Sequence, residues 1–217
     1  MDTTQALKVL SQLTELYPEA RPELHFNNPF ETLISTVLSA QCTDVRVNKV
    51  TEVLFAQYPD AFALSKLSTQ EIEPIIRECG LYHSKAKHIE QLCRVLVDKY
   101  GGEVPSTREE LTALPGVGRK TANVVLANAF GIPAFAVDTH VFRVSNRIGL
   151  AHADDVERTE QQLTALIPDQ MWNKAHHLLI WHGRRCCAAR KPACERCPVT
   201  DCEYRAQLSA AAEASGD

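Results

Sequence analysis

Apolar positions recur at three- and four-residue intervals along most of the chain, and sustained period-2 alternation occurs nowhere. Ala6, Leu7, Leu10, Leu13 and Tyr17 fall on one face of a helix beginning at Thr3 and stopped by Pro18. Asn28-Pro29-Phe30-Glu31 is a capping signature with proline at the first helical position, opening a helix that carries Phe30, Leu33, Ile34, Val37 and Leu38 to about Ala40. Beyond Gln41-Cys42-Thr43-Asp44, a third helix carries Val50, Val53 and Leu54 and ends near Pro59. Ser68-Thr69-Gln70-Glu71 is a capping box, with Pro74 predicting a late start or a kink and Gly80 closing the segment. The run from Ser84 to Tyr100 carries Ile89, Leu92 and Leu96 and stops at Gly101-Gly102. Ser106 to Glu109 caps the next helix, and Asp138, Asp154 and Asp169 read as caps of three more. The pattern predicts an all-α fold of about ten or eleven short helices. Residues 209–217, rich in Ala and Ser, read as a disordered tail.

Two of these helices meet at Leu114-Pro115-Gly116-Val117-Gly118, a turn that makes a helical hairpin. Gly116 and Gly118 remove side chains where the backbone turns, leaving the N–H groups that open the second helix to face an anion, with phosphate the natural guest. Lys120 lies in the first turn of that helix, where the macrodipole disfavours a cation by about 0.3–1 kcal/mol. That is too little to make an amine nucleophilic, so burial against a substrate has to supply the rest. Asp138, before Thr139-His140-Val141, is a good helix N-cap and also a carboxylate available for chemistry.

Composition adds limits. The 217 residues, 45% hydrophobic, suffice for one large domain or two small ones, and the start Met1-Asp2-Thr3-Thr4 shows no export signal. The longest apolar stretch, Val124 to Val137, is interrupted by Asn128, Gly131 and Pro133, so no membrane span is expected. A formal net charge of -4 counts against a nucleic-acid binder, but Arg184, Arg185, Arg190, Lys191, Arg196 and Arg205 outnumber the acidic residues around them and predict one basic face.

Of eight cysteines, four are crowded as Cys187-x6-Cys194-x2-Cys197-x4-Cys202 in an Arg-rich segment, where burial gives no reason for them. Without an export signal they point to metal ligation in a reducing cytoplasm. Four thiolates suit tetrahedral zinc or an iron–sulfur cluster, and spacing does not choose. Cys186 is a spare thiol, while Cys42, Cys79 and Cys93 read as ordinary buried residues. His176, His177 and His182 read as structural side chains, not ligands.

The hairpin, the Val137-Asp138-Thr139-His140 stretch and the cysteine cluster together resemble the endonuclease III branch of the helix-hairpin-helix DNA glycosylases, over nearly the whole chain. The resemblance implies a six-helix domain over residues 22–132, an iron–sulfur domain from residues 1–21 and 133–208, and a DNA cleft between them. It implies that Lys120 attacks the sugar with Asp138 assisting, and that Gln41 and Leu81 fill the gap left by an extruded nucleotide. Gly116, Val117, Gly118, Arg119, His140, Arg190 and Lys191 complete the expected DNA contacts. The ligands of a [4Fe-4S] cluster would be Cys187, Cys194, Cys197 and Cys202, although the last spacing is one residue shorter than the family usually has.

The expected activity is removal of oxidised pyrimidines from double-stranded DNA, coupled to cleavage at the abasic site through a Lys120 Schiff base. The partner is DNA carrying damaged bases or abasic sites, met by a monomer in the cytoplasm, at the nucleoid. Two other readings are a non-catalytic helix-hairpin-helix DNA-binding module with structural zinc, and an iron–sulfur redox sensor that touches DNA. Lys120 argues against the related adenine-removing branch, which lacks that lysine.

Overall fold

The structure, a computed structural model, describes residues 1–214, and every regular element among them is a helix. The α-helices are α1 (Thr3–Leu16), α2 (Pro29–Leu38), α3 (Asp44–Gln57), α4 (Ala61–Leu64), α5 (Thr69–Ile76), α6 (Tyr82–Tyr100), α7 (Arg108–Thr112), α8 (Arg119–Ala129), α9 (Thr139–Ile148), α10 (Val156–Leu166), α11 (Trp172–Arg185) and α12 (Glu203–Ala214). They divide into two compact units, one formed by Pro22–Ile132 and the other by Met1–Arg21 with the chain from Pro133 onward.

In the continuous unit α2 is central. Asn28 Oδ1 accepts from Glu31 N at 2.9 Å, Pro29 occupies the first turn, and every residue from Thr32 to Leu38 is buried. A helix apolar nearly all round has to sit inside, and α2 packs on α8, α3 and α6. The buried stripe of α3 is Val47, Val50, Thr51 and Leu54, so Val53, expected in the core, points outward at 52% exposure. Pro74 neither delays nor excludes α5: the Glu71 carboxylate accepts from Ser68 N at 2.8 Å, and the missing proline N–H costs one bond near the helix end. The four-residue α4 was absent from the periodic pattern because one turn shows no period. Helix α6 starts at Tyr82, two residues before the expected start, and Thr107, not Ser106, caps α7.

In the other unit α1 packs on α11, and α9 packs on α10, α11 and α12. Val9, Leu10, Leu13, Phe135, Val141, Val144, Leu163, Leu178 and Leu179 form its core. Asp155, not Asp154, caps α10 by accepting from Arg158 N at 2.8 Å. Asp169 opens a short 3-10 turn, Asp169–Met171, that leads into α11. Helix α12 runs to Ala214, which corrects the expectation of disorder over 209–214; residues 215–217 lie outside the described residues. No helix among the described residues is long and apolar enough to cross a membrane.

Candidate nucleic-acid interface and thiol centre

Helices α7 and α8 flank the glycine turn. Leu114 and Val117 are buried beneath it, and Val117 N donates to Leu114 O at 3.1 Å. The side chain of Val117, one of the expected DNA contacts, is turned inward and seats the turn. Gly116 has φ +76°, and a Cβ there would lie 2.8 Å from His88 Cβ on α6. Glycine is needed for both the torsion and the approach. Gly118 is extended, has nothing within 4 Å of a Cβ, and offers no side-chain cap to α8. Arg119 and Lys120 stand exposed in the first turn behind it. The hairpin thus joins an uncapped helix N-terminus to two cations, a combination suited to phosphate.

Among the described residues only three non-glycines have positive φ: Gln41 at 53°, Leu81 at 59° and Lys191 at 52°. All three belong to the expected DNA contacts. A left-handed L-residue costs roughly 1–2 kcal/mol, and such strain collects where function fixes a side chain's aim. Gln41 is exposed, and Leu81 leaves 58% of its surface in solvent where an apolar side chain gains nothing. Gly80 brings the two turns together, since a Cβ on it would stand 3.1 Å from Gln41 O.

Asp138 caps α9 with one oxygen, Oδ1 accepting from His140 N and Val141 N, each at 2.8 Å. Its Oδ2 makes no hydrogen bond to a described residue, so the carboxylate combines cap and open acceptor. His140 shares a hydrogen bond with Arg143 Nη2 at 3.2 Å, and burial pulls its pKa down against the opposing pull of Asp138. Gly183 allows this closeness, because a Cβ there would stand 3.0 Å from His140 Cβ.

Sequence reasoning missed Arg143 and Arg147, one turn apart on α9. Arg143 donates to Gly183 O at 2.9 Å and to Cys187 O at 3.1 Å, while Arg147 donates to Ala188 O at 2.7 Å and Ala189 O at 3.0 Å. Arg147 also lies 4.6 Å from the Tyr204 ring centroid. They tie α9, which begins beside Asp138, to the segment that presents exposed Arg190 and Lys191.

Cys187, Cys194, Cys197 and Cys202 line one small cavity of about 20 Å³, together with Cys186 and His182. Burial first, then the like charges of Cys187 and Cys202, push the Cys194 thiol up; burial and Cys202 do the same to Cys197. Such mutual opposition is what a bound cation reverses. The donor set is soft sulfur with no carboxylate among the lining residues, which fits zinc or an iron–sulfur cluster and suits magnesium or calcium poorly. The ligand atoms of His182, Cys186 and Cys197 also lie within 4.8 Å of one another, and His182 Nε2 is 3.5 Å from Cys197 Sγ. The Cys/His group is consistent with a metal centre.

A family model described as HhH-GPD superfamily base excision DNA repair protein matches residues 34–169. Endonuclease III of Synechocystis sp. is 50% identical over 206 residues, covering 94% of this chain and 94% of its own. Endonuclease III of Escherichia coli is 46% identical over 209 residues, 96% of this chain and 99% of that protein. The solved structure of a trapped endonuclease III–DNA covalent intermediate superposes with a TM-score of 0.90 at 47% identity, covering 96% of this chain and 99% of that one. On the match across more than half its length, and on relatives this similar, the chain belongs to the HhH-GPD superfamily of base excision DNA repair proteins.

Proposed function

We propose that the protein is a bifunctional DNA glycosylase and abasic-site lyase acting on oxidised pyrimidines in duplex DNA. The observation that carries this reading is Lys120, exposed in the first turn of α8 directly behind the phosphate-binding glycine turn. The solved relative trapped as a covalent intermediate with DNA supports it. Lys120 Nζ, freed of its proton when substrate closes off water, attacks the sugar C1′. The bond from C1′ to the base breaks, and the base leaves with the electron pair and takes up a proton. The nitrogen sheds a proton, the C1′–O4′ bond of the resulting aminal opens with O4′ taking up that proton, and the iminium so formed loses a proton from C2′ while the electrons expel the 3′ phosphate. Water then releases the lysine. Asp138, with Oδ2 open, stabilises positive charge on the sugar and helps move protons.

Gln41 and Leu81 fill the gap left by the extruded nucleotide, each held by an exposed left-handed turn. Gly116, Gly118 and Arg119 bind the backbone through the hairpin, and His140 orients the Asp138 turn. Cys187, Cys194, Cys197 and Cys202 hold a [4Fe-4S] cluster, which supplies a rigid crosslink and no electrons to glycosidic cleavage. This chain's Arg190 and Lys191 then meet phosphates in one geometry. The protein works as a monomer, in the cytoplasm at the nucleoid.

Incision across a panel of oxidised pyrimidines, oxidised purines and plain abasic sites tests this reading. Base release followed by strand cleavage on the pyrimidines is expected. A colourless protein that binds all three and cuts none would instead establish a zinc-holding DNA-binding module.

A further inference from the structure

Lys85 is a charged side chain with 4% of its surface exposed, on a helix face otherwise given to Ala86, Ile89 and Leu92. Lysine is almost never buried without partners. Its Nζ donates to Leu38 O at 2.8 Å and to Ala40 O at 2.7 Å, and its backbone N–H donates to Leu81 O at 3.0 Å. Leu38 is the last residue of α2, so the first bond is an ordinary cation at a helix C-terminus. The second lies beyond the helix, on the carbonyl that joins Ala40 to Gln41. Ending the helix does not require that bond. Through its two ends, one residue thus touches the backbone beside each exposed left-handed turn, at Gln41 and at Leu81.

We propose that Lys85 is a positioning residue for base extrusion, holding the Gln41 turn in register with the Leu81 turn so that the two side chains enter the duplex together. This rests on the reading of Gln41 and Leu81 as the wedge. Without the ammonium, the carbonyls of Leu38 and Ala40 lose their charged donor, and the Gln41 turn is left to the Cys42 N to Ser39 O bond at 3.1 Å, a weaker restraint on its left-handed conformation.

The test compares Lys85→Met, Gln41→Ala, Leu81→Ala and the Lys85→Met/Gln41→Ala double variant, each confirmed folded by its melting curve. Two rates are measured: single-turnover base excision from duplex DNA, and cleavage of an abasic site in single-stranded DNA, where no partner strand has to be wedged. The ratio of the first rate to the second is expected to fall roughly ten- to hundredfold in Lys85→Met, the range for losing hydrogen bonds to a charged group. A fluorescent base analogue next to the lesion should report extrusion falling in parallel. In the Gln41→Ala background, Lys85→Met should add little, because the side chain it positions is gone. Full additivity of the two losses would overturn the proposal, as would an unchanged ratio in Lys85→Met while the wedge variants are impaired. If neither Gln41→Ala nor Leu81→Ala lowers the ratio, the wedge reading falls and takes this proposal with it. Should Lys85→Met fail to fold, Lys85→Gln, which keeps one donor group, is expected to show a smaller drop with the same non-additivity, and additivity there would refute the proposal equally.

Discussion

The two glycines of the hairpin should respond to the same substitution in opposite ways. In Gly116→Ala the new methyl requires an L-residue at φ +76° and stands 2.8 Å from His88 Cβ, an atom fixed to the α6 backbone. The torsion costs roughly 1–2 kcal/mol. The contact adds about 1–3 kcal/mol of overpacking. Reduced freedom of the unfolded chain returns about 0.4–1 kcal/mol. The net loss is about 1–5 kcal/mol, which for a chain of this size lowers the melting temperature by about 2–20 °C. Gly118→Ala meets nothing within 4 Å and sits at φ -90°. Its stability should stay within about 1 kcal/mol of wild type. The cost appears in binding, because the methyl stands where a phosphate would approach the N-terminus of α8, and affinity should fall by about tenfold, or 1.4 kcal/mol. Thermal melts followed by circular dichroism, and anisotropy of a labelled duplex with a stable abasic analogue at fixed salt, separate the two effects. Equal melting losses, or a Gly118→Ala variant with unimpaired binding, would refute this account of the hairpin.

Three further outcomes follow from the other unit. Cys194→Ser should lose visible absorbance and bound metal together, and destabilise the fold. Full metal content in that variant, measured by elemental analysis, would remove Cys194 from the ligand set. Lys191→Glu should weaken duplex binding and make the dependence of affinity on salt shallower, by about one to two counterions. An unchanged slope would take the loop off the DNA. His177 is pushed down to about 3 by burial and by His176, against an ordinary value of 6.5. It stays neutral in the folded protein while the unfolded chain takes up a proton, so its stabilising effect is full above pH 6.5 and is lost progressively as the pH falls towards 3. Urea titrations of wild type and His177→Leu between pH 7 and 4 should show a smaller acid loss in the variant; the same loss in both would contradict the assignment.

The parts of the chain that were legible beforehand are those where local chemistry dictates local structure. Asn28-Pro29 supplies a cap and a preset first-turn torsion directly ahead of an apolar run, and a turn containing Gly116 between two periodic segments has few shapes to adopt. Periodicity failed where it had to choose a face. Val53 follows Val50 at helical spacing, yet the stripe running from Val47 through Thr51 to Leu54 excludes it. Adjacent candidates such as Asp154 and Asp155, or Ser106 and Thr107, differ by one residue and cannot be separated by pattern. The tertiary roles were invisible for another reason. Nothing in the sequence pattern singles out Arg143, Arg147 or Lys85, because their partners are backbone carbonyls from distant segments that carry no side-chain signature. Left-handed torsions at Gln41, Leu81 and Lys191 likewise leave no mark in composition, since none is the glycine that would announce them.

The central claim is that Lys120 forms a covalent bond to the sugar. Borohydride reduction during reaction with duplex DNA carrying an oxidised pyrimidine tests it directly. Wild type should give a protein–DNA adduct that survives denaturing electrophoresis, with mass spectrometry placing it on Lys120, and Lys120→Ala should give none. Absence of an adduct with wild type, or an equal yield from the alanine variant, would contradict the account.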